Sequence, residues 1–238
     1  MLKPRTMLIG IVLALVGSAA GAAGIRTQAD ADGPAQIAFP APTKPGRVVM
    51  VISGKTGFDR YEDYAEKISK LGYYAVLLDG NDILSPDKQG GDRLRKAIAR
   101  AQGSADAVPG KVAVIGFSLG GGGALTYAAR MPSTVATIVV YYPETAFIGR
   151  VSDVKSFVGN FKVPVLAFAG GKDTYLDCCL IGTIRSMDAA AKELGVPMDL
   201  VVYPQAKHDF IMPPDYRAAD TADAWMRTVE ALRRALSE

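Results

Sequence analysis

From residue 47 onward, short apolar runs alternate with longer stretches in which apolar residues recur every three or four positions. The runs at 47–52 (RVVMVI), 73–79 (YYAVLLD), 111–117 (KVAVIGF), 136–142 (ATIVVYY), 163–170 (VPVLAFAG) and 198–204 (MDLVVYP) predict six strands. Their side chains are apolar on both faces, as in strands covered from both sides. Helical spacing predicts helices over 60–72, with Gly72 as a stop, and over 87–102, 119–130, 180–195 and 217–236. Strands separated mostly by helices give an α/β fold, a mainly parallel sheet of about six or more strands with helices on both faces. The 24–46 stretch reads as a polar linker ahead of a single domain over 47–238, with no repeat and no low-complexity segment.

The first 23 residues follow another pattern. Lys3 and Arg5 precede an uncharged apolar run over 7–17, and small residues follow it. This is the arrangement of a signal peptide, with an uncleaved N-terminal anchor as the other reading. It predicts export, to a periplasm or the exterior. The 238 residues carry 27 Lys and Arg against 24 Asp and Glu, and removing Lys3 and Arg5 leaves 25 against 24. That near balance argues against a nucleic-acid partner, and against a membrane partner beyond the N-terminal anchor. Cys178 and Cys179, the two cysteines, are adjacent: they either close a vicinal ring or lie as two small buried side chains. A zinc site built from Cys and His is not expected in a chain with one histidine.

In parallel α/β sheets the chemistry gathers at the carboxyl ends of the strands. Those ends carry SGKTGF after 47–52, Ser118 after 111–117, GGKDTY after 163–170 and PQAKHDF after 198–204. Acyl transfer by a hydroxyl needs a nucleophile, a base to take its proton and an acid to orient that base. Ser118, Asp173 and His208 supply these in the order Ser, Asp, His, with Ser118 inside G-x-S-x-G between a strand and a helix. Asp177 and Asp209 compete for the acid's role; Asp173 is preferred because it is nearest its strand end. The oxyanion would be met by the backbone N–H of Leu119 and by one from the first strand-end loop, Lys55 ahead of Gly54 or Thr56. The same loop's GKT mimics a phosphate loop, but the glycine that motif requires is Val49, inside a strand. Phe58, Tyr141, Tyr142, Tyr175 and Phe210, all near strand ends, are the candidate pocket walls. Trp225, in register with Val229 and Leu232, reads as core.

With these segments in view the chain resembles the dienelactone hydrolase family of the α/β-hydrolase fold. The resemblance is carried by RVVMVISGKTGFDRYEDYAEKISKLGYYAVLLDG, KVAVIGFSLGGGGAL, VPVLAFAGGKDTY, VVYPQAKHDF and YRAADTADAWMRTVEAL. It implies the triad Ser118, Asp173 and His208, no metal and no organic cofactor, and a small-molecule ester or lactone as substrate. The chain departs from the founding enzymes in having Ser118 in place of a cysteine and Gly54 in place of a glutamate. It also lacks arginine in the loops over 80–92 and 208–215, where the family holds a substrate carboxylate, which points away from dienelactone itself. Two other readings use the same features: a non-catalytic binding or accessory protein of the envelope, and an acyltransferase working through the same triad.

Overall fold

The computed structural model describes residues 24–148 and 152–237. The signal peptide or anchor expected over residues 1–23 lies outside them. Among the described residues no helix is long and apolar enough to cross a membrane.

Eight strands form one sheet: β1 (Ile25–Thr27), β2 (Gln36–Phe39), β3 (Gly46–Ile52), β4 (Tyr74–Leu78), β5 (Ala107–Phe117), β6 (Val135–Tyr141), β7 (Val165–Gly170) and β8 (Met198–Tyr203), in the order β1-β2-β4-β3-β5-β6-β7-β8. β3 to β8 are parallel; β1 and β2 run antiparallel on the β4 edge. The six expected strands are all present. The stretch expected to be a linker, 24–46, instead supplies β1 and β2. Gln36, Ile37, Ala38 and Phe39 are buried against β4, and so short a strand carries too few residues to show its period.

Among the described residues the α-helices are α1 (Glu62–Ser69), α2 (Gly80–Ile83), α3 (Gly90–Gln102), α4 (Leu119–Thr126), α5 (Val154–Gly159), α6 (Ile181–Leu194) and α7 (Ala218–Leu236). The 119–130 helix breaks after Thr126 into a 3-10 turn over Ala128–Arg130, and α5 was not expected from spacing. Strand pleating sends alternate side chains into two cores. Val48, Met50 and Ile52 of β3 join Leu94 and Ile98 of α3, Phe157 of α5 and Met187 of α6 on one face. Val49 and Val51 join Ala65 and Ile68 of α1 and Leu232 of α7 on the other. Both faces of the central strands are therefore dry, which is why their sequences run apolar without alternation.

Candidate active site

β5 ends at Phe117 and α4 begins at Leu119, so a single residue, Ser118, turns the chain. Its φ of 47° and ψ of −115° are unfavourable for a residue with a side chain. The corner is held on both sides: the Ser118 N–H donates to the Tyr141 carbonyl at 3.0 Å, and its carbonyl accepts from Gly122 at 3.0 Å and Glu144 at 2.8 Å. Glycine is required on either side for space. A Cβ at Gly116 would lie 2.6 Å from the Gly120 oxygen, and one at Gly120 would lie 2.3 Å from the Ser53 oxygen. The further glycines bring α4 close to its neighbours, with a Cβ at Gly122 falling 2.7 Å from the Glu144 oxygen.

Asp173 follows β7 by three residues and His208 follows β8 by five. Two backbone bonds tie their loops together, from Gly171 N to the Tyr203 oxygen (2.9 Å) and from Lys172 N to the Ala206 oxygen (2.8 Å). One carboxylate oxygen of Asp173 accepts from the Tyr175 N–H at 3.0 Å and the other lies 2.8 Å from His208 Nδ1. Nε2 of the same ring is 3.1 Å from Ser118 Oγ. Ser118, Asp173 and His208 are all buried, at 7, 2 and 6 % exposure, so these bonds are made with little competition from water. Asp209 turns away with φ 53° and faces Arg60 at 3.7 Å, and Asp177 is exposed.

The first strand-end loop lies against this corner. The Gly120 N–H donates to the Ser53 carbonyl at 3.1 Å, and a Cβ at Gly54 would sit 3.4 Å from Ser118 Cβ and 2.5 Å from the Tyr61 hydroxyl. The Tyr61 phenol thus fills the room that a side chain at Gly54 would need, and burial pushes its pKa well above the usual range. Among the described residues no protein acceptor takes the N–H of Lys55 or of Leu119.

The aromatic residues expected as pocket walls divide. Tyr141 and Phe210 belong to the core beneath α7 instead; the Tyr141 hydroxyl is 2.7 Å from Thr228 Oγ1 and 3.1 Å from the Tyr64 hydroxyl. Phe58 packs half-buried against the same core. Tyr142 is fully buried behind the histidine, ring centroids 4.7 Å apart. Tyr175 alone of the five is an exposed side chain, its ring parallel to His208 at 4.5 Å and an interplanar angle of 10°. Strand-end position marked all five, but the pleat and the local turn decide which face a ring takes. Trp225 lies away from the site, edge-on to Tyr64 and beneath Lys67.

A cavity of about 720 Å³ opens beside the corner, bounded by Leu119 and Glu144 and walled by Leu84, Tyr127, Phe147 and Phe157. The sequence marked Leu119 for its backbone N–H but none of Leu84, Tyr127, Glu144, Phe147 and Phe157. Their only shared signal is membership of loops and helices just beyond the ends of β4, β5 and β6. Cys178 and Cys179 form a disulfide, the first of the two readings open from sequence, and it too borders the site.

The sheet order, the corner after β5 and the hydrogen-bonded serine, aspartate and histidine beyond the ends of β5, β7 and β8 are those of the α/β-hydrolase fold. The model of the dienelactone hydrolase family matches residues 80–236, and the chain belongs to that family. A Methylorubrum extorquens protein, provisionally named carboxymethylenebutenolidase, is 29% identical over 228 residues, covering 84% of this chain and 76% of its own. Among solved structures, a Klebsiella pneumoniae protein provisionally described as a dienelactone hydrolase superposes with TM-score 0.73 at 20% identity, over 89% of this chain and 98% of that one. Est1E from Butyrivibrio proteoclasticus superposes with TM-score 0.66 at 15% identity, over 88% and 99%.

Proposed function

We propose that this protein is an exported serine hydrolase that cleaves a carboxylic ester or lactone through an acyl-enzyme. The observation that carries the reading is the unbroken set of contacts from Ser118 Oγ to His208 Nε2 (3.1 Å) and from His208 Nδ1 to Asp173 (2.8 Å). Asp173 fixes the tautomer with the proton on Nδ1, leaving the Nε2 lone pair to take the Ser118 proton as Oγ attacks the carbonyl. The imidazolium so formed is steadied by the Asp173 carboxylate and then protonates the leaving alkoxide. Water, deprotonated by the same histidine, releases the acid and restores Ser118. The tetrahedral oxyanion is met by the N–H groups of Leu119 and Lys55, both without a protein acceptor. Gly54 is the weaker candidate because the Tyr61 hydroxyl crowds that residue.

The mainly apolar wall of the neighbouring cavity supports a small substrate with an apolar acyl or alcohol portion. The apolar leader with its small-residue tail supports action outside the cytoplasm. The test is hydrolysis of p-nitrophenyl acetate and a panel of lactones by the purified protein, alongside Ser118→Ala. Loss of turnover in the variant and fluorophosphonate labelling confined to Ser118 are expected. Full esterase activity in Ser118→Ala would refute the assignment, and product analysis with added alcohols separates hydrolysis from acyl transfer.

A further inference from the structure

The Cys178–Cys179 disulfide is placed where a structural cross-link has little to do: it joins neighbouring residues and closes no chain loop. What it does have is a chemical neighbour. One ligand atom from each of Cys178, Cys179 and His208 lies within 4.8 Å of the others, and all three residues are buried. One histidine and the two sulfurs would make up a three-ligand set once the disulfide is reduced.

We propose that reduction of the Cys178–Cys179 bridge creates, with His208, a site for a soft divalent cation, and that the cation switches off the hydrolase by occupying its base. The inhibitory part rests on the catalytic reading above; the metal site does not. A dithiol reductant supplies two electrons and two protons, becoming a disulfide itself while Cys178 and Cys179 become thiols. The cation then takes both sulfurs as thiolates with release of two protons. Two thiolates and one imidazole with an open fourth position form a recognised zinc arrangement, with metal–sulfur distances of about 2.3 Å and metal–nitrogen distances of about 2.0 Å. Ligand atoms at those distances stand about 3.6–3.8 Å apart in a tetrahedral site, so on reduction the two sulfurs part to that spacing while the sulfur-to-imidazole separation closes by up to about 1 Å.

The second shell is already present. Asp173 sits 2.8 Å from Nδ1, the carboxylate–histidine pairing that orients metal-bound imidazoles, and it leaves Nε2 as the ligand atom. A cation on Nε2 removes the lone pair that Ser118 Oγ faces at 3.1 Å. The loop can yield at one end and is anchored at the other. Leu176 and Asp177 hold φ values of 47° and 51° just ahead of the bridge, and Leu176 is 72 % exposed. The Cys178 carbonyl accepts from the N–H groups of Thr145 and Ala146, at 2.8 and 3.0 Å.

The experiment titrates Cd²⁺ into full-length Ser118→Ala with and without prior phosphine reduction, following the cadmium–thiolate charge-transfer band and calorimetric stoichiometry. One ion per reduced chain and none per oxidised chain are expected. Binding is expected to be lost in Cys178→Ser/Cys179→Ser and weakened at least about tenfold in His208→Ala, with thermal melts establishing that each is folded. In the wild type, Cd²⁺ should lower ester hydrolysis at least about 100-fold after reduction, reversibly by chelator, and leave the oxidised enzyme unaffected. Equal binding by oxidised and reduced protein, free thiols in the protein as isolated, or unchanged affinity in His208→Ala would each overturn the proposal. Metal binding without any ester hydrolysis by wild type would instead retain the site and refute the catalytic reading.

Discussion

Gly120→Ala is the sharpest test of how the corner works. The added Cβ would sit 2.3 Å from the Ser53 carbonyl oxygen, 2.5 Å from that of Ile52 and 2.7 Å from Ile52 Cγ2. Two of the three are backbone atoms at the end of β3, so no rotamer change relieves the clash. Cβ contacts below 3.0 Å do not persist, and Ser53 and α4 must therefore part by about 0.7 Å. Overpacking of this kind costs about 1–3 kcal/mol. For a domain of this size that lowers Tm by about 2–12 °C. The same shift carries the Lys55 N–H away from Leu119, and misplacement approaching 1 Å costs up to about 100-fold in rate. We expect kcat/KM toward p-nitrophenyl acetate to fall about 10- to 100-fold with KM little changed, while fluorophosphonate still titrates one site per chain, more slowly. The control is Gly182→Ala, an exposed position near the start of α6 with no atom within 4 Å of its added Cβ, which should stabilise by about 0.5–1 kcal/mol with activity intact. A Gly120→Ala protein with wild-type Tm and wild-type kcat/KM would refute the argument that contact between Ser53 and Gly120 sets the site.

Other outcomes follow from the same geometry. Asp173→Asn should lower kcat by about 10⁴-fold with a small change in KM, because an amide can hold His208 in the wrong tautomer; single-turnover acylation measures this, and a loss below tenfold would contradict the orienting role. Tyr175→Ala removes the ring stacked on His208 at 4.5 Å and should cost about 2- to 30-fold in kcat/KM, mostly in kcat, with Tyr175→Phe close to wild type. In alkali, burial pushes the Tyr141 phenol up from 10.0 to about 12, and Tyr64 and Tyr142 well above their usual value. Because the folded value is the raised one, this stabilisation is complete below about pH 10 and is lost as pH rises toward 12; at Tyr141 the rise from 10.0 to about 12 corresponds to about 3 kcal/mol. Spectrophotometric titration should then show these tyrosines ionising together with unfolding, and independent ionisation of all ten near 10 in a folded protein would oppose it.

Residue pattern alone determined the parallel core and brought forward Ser118, Asp173 and His208 as candidates. A strand dry on both faces has to be apolar along its whole length, and a nucleophile on a tight corner has to have glycines around it, so both leave marks in the linear text. Asp173 was set ahead of Asp177 and Asp209 by its distance from a strand end, and it lies 2.8 Å from His208 Nδ1. Tertiary structure decided the rest. β1 and β2 are too short to display a period and are strands only because β4 offers an edge. Tyr141, Tyr142 and Tyr175 share a place near strand ends, yet one is core, one backs the histidine and one covers it, since a single residue's turn reverses the face a ring takes. The cavity wall comes from loops and helix ends brought together by the sheet order. Cys178 and Cys179 are about thirty residues from His208 in the chain, and only the return from β7 through α6 to the parallel strand β8 sets their sulfurs beside its ring.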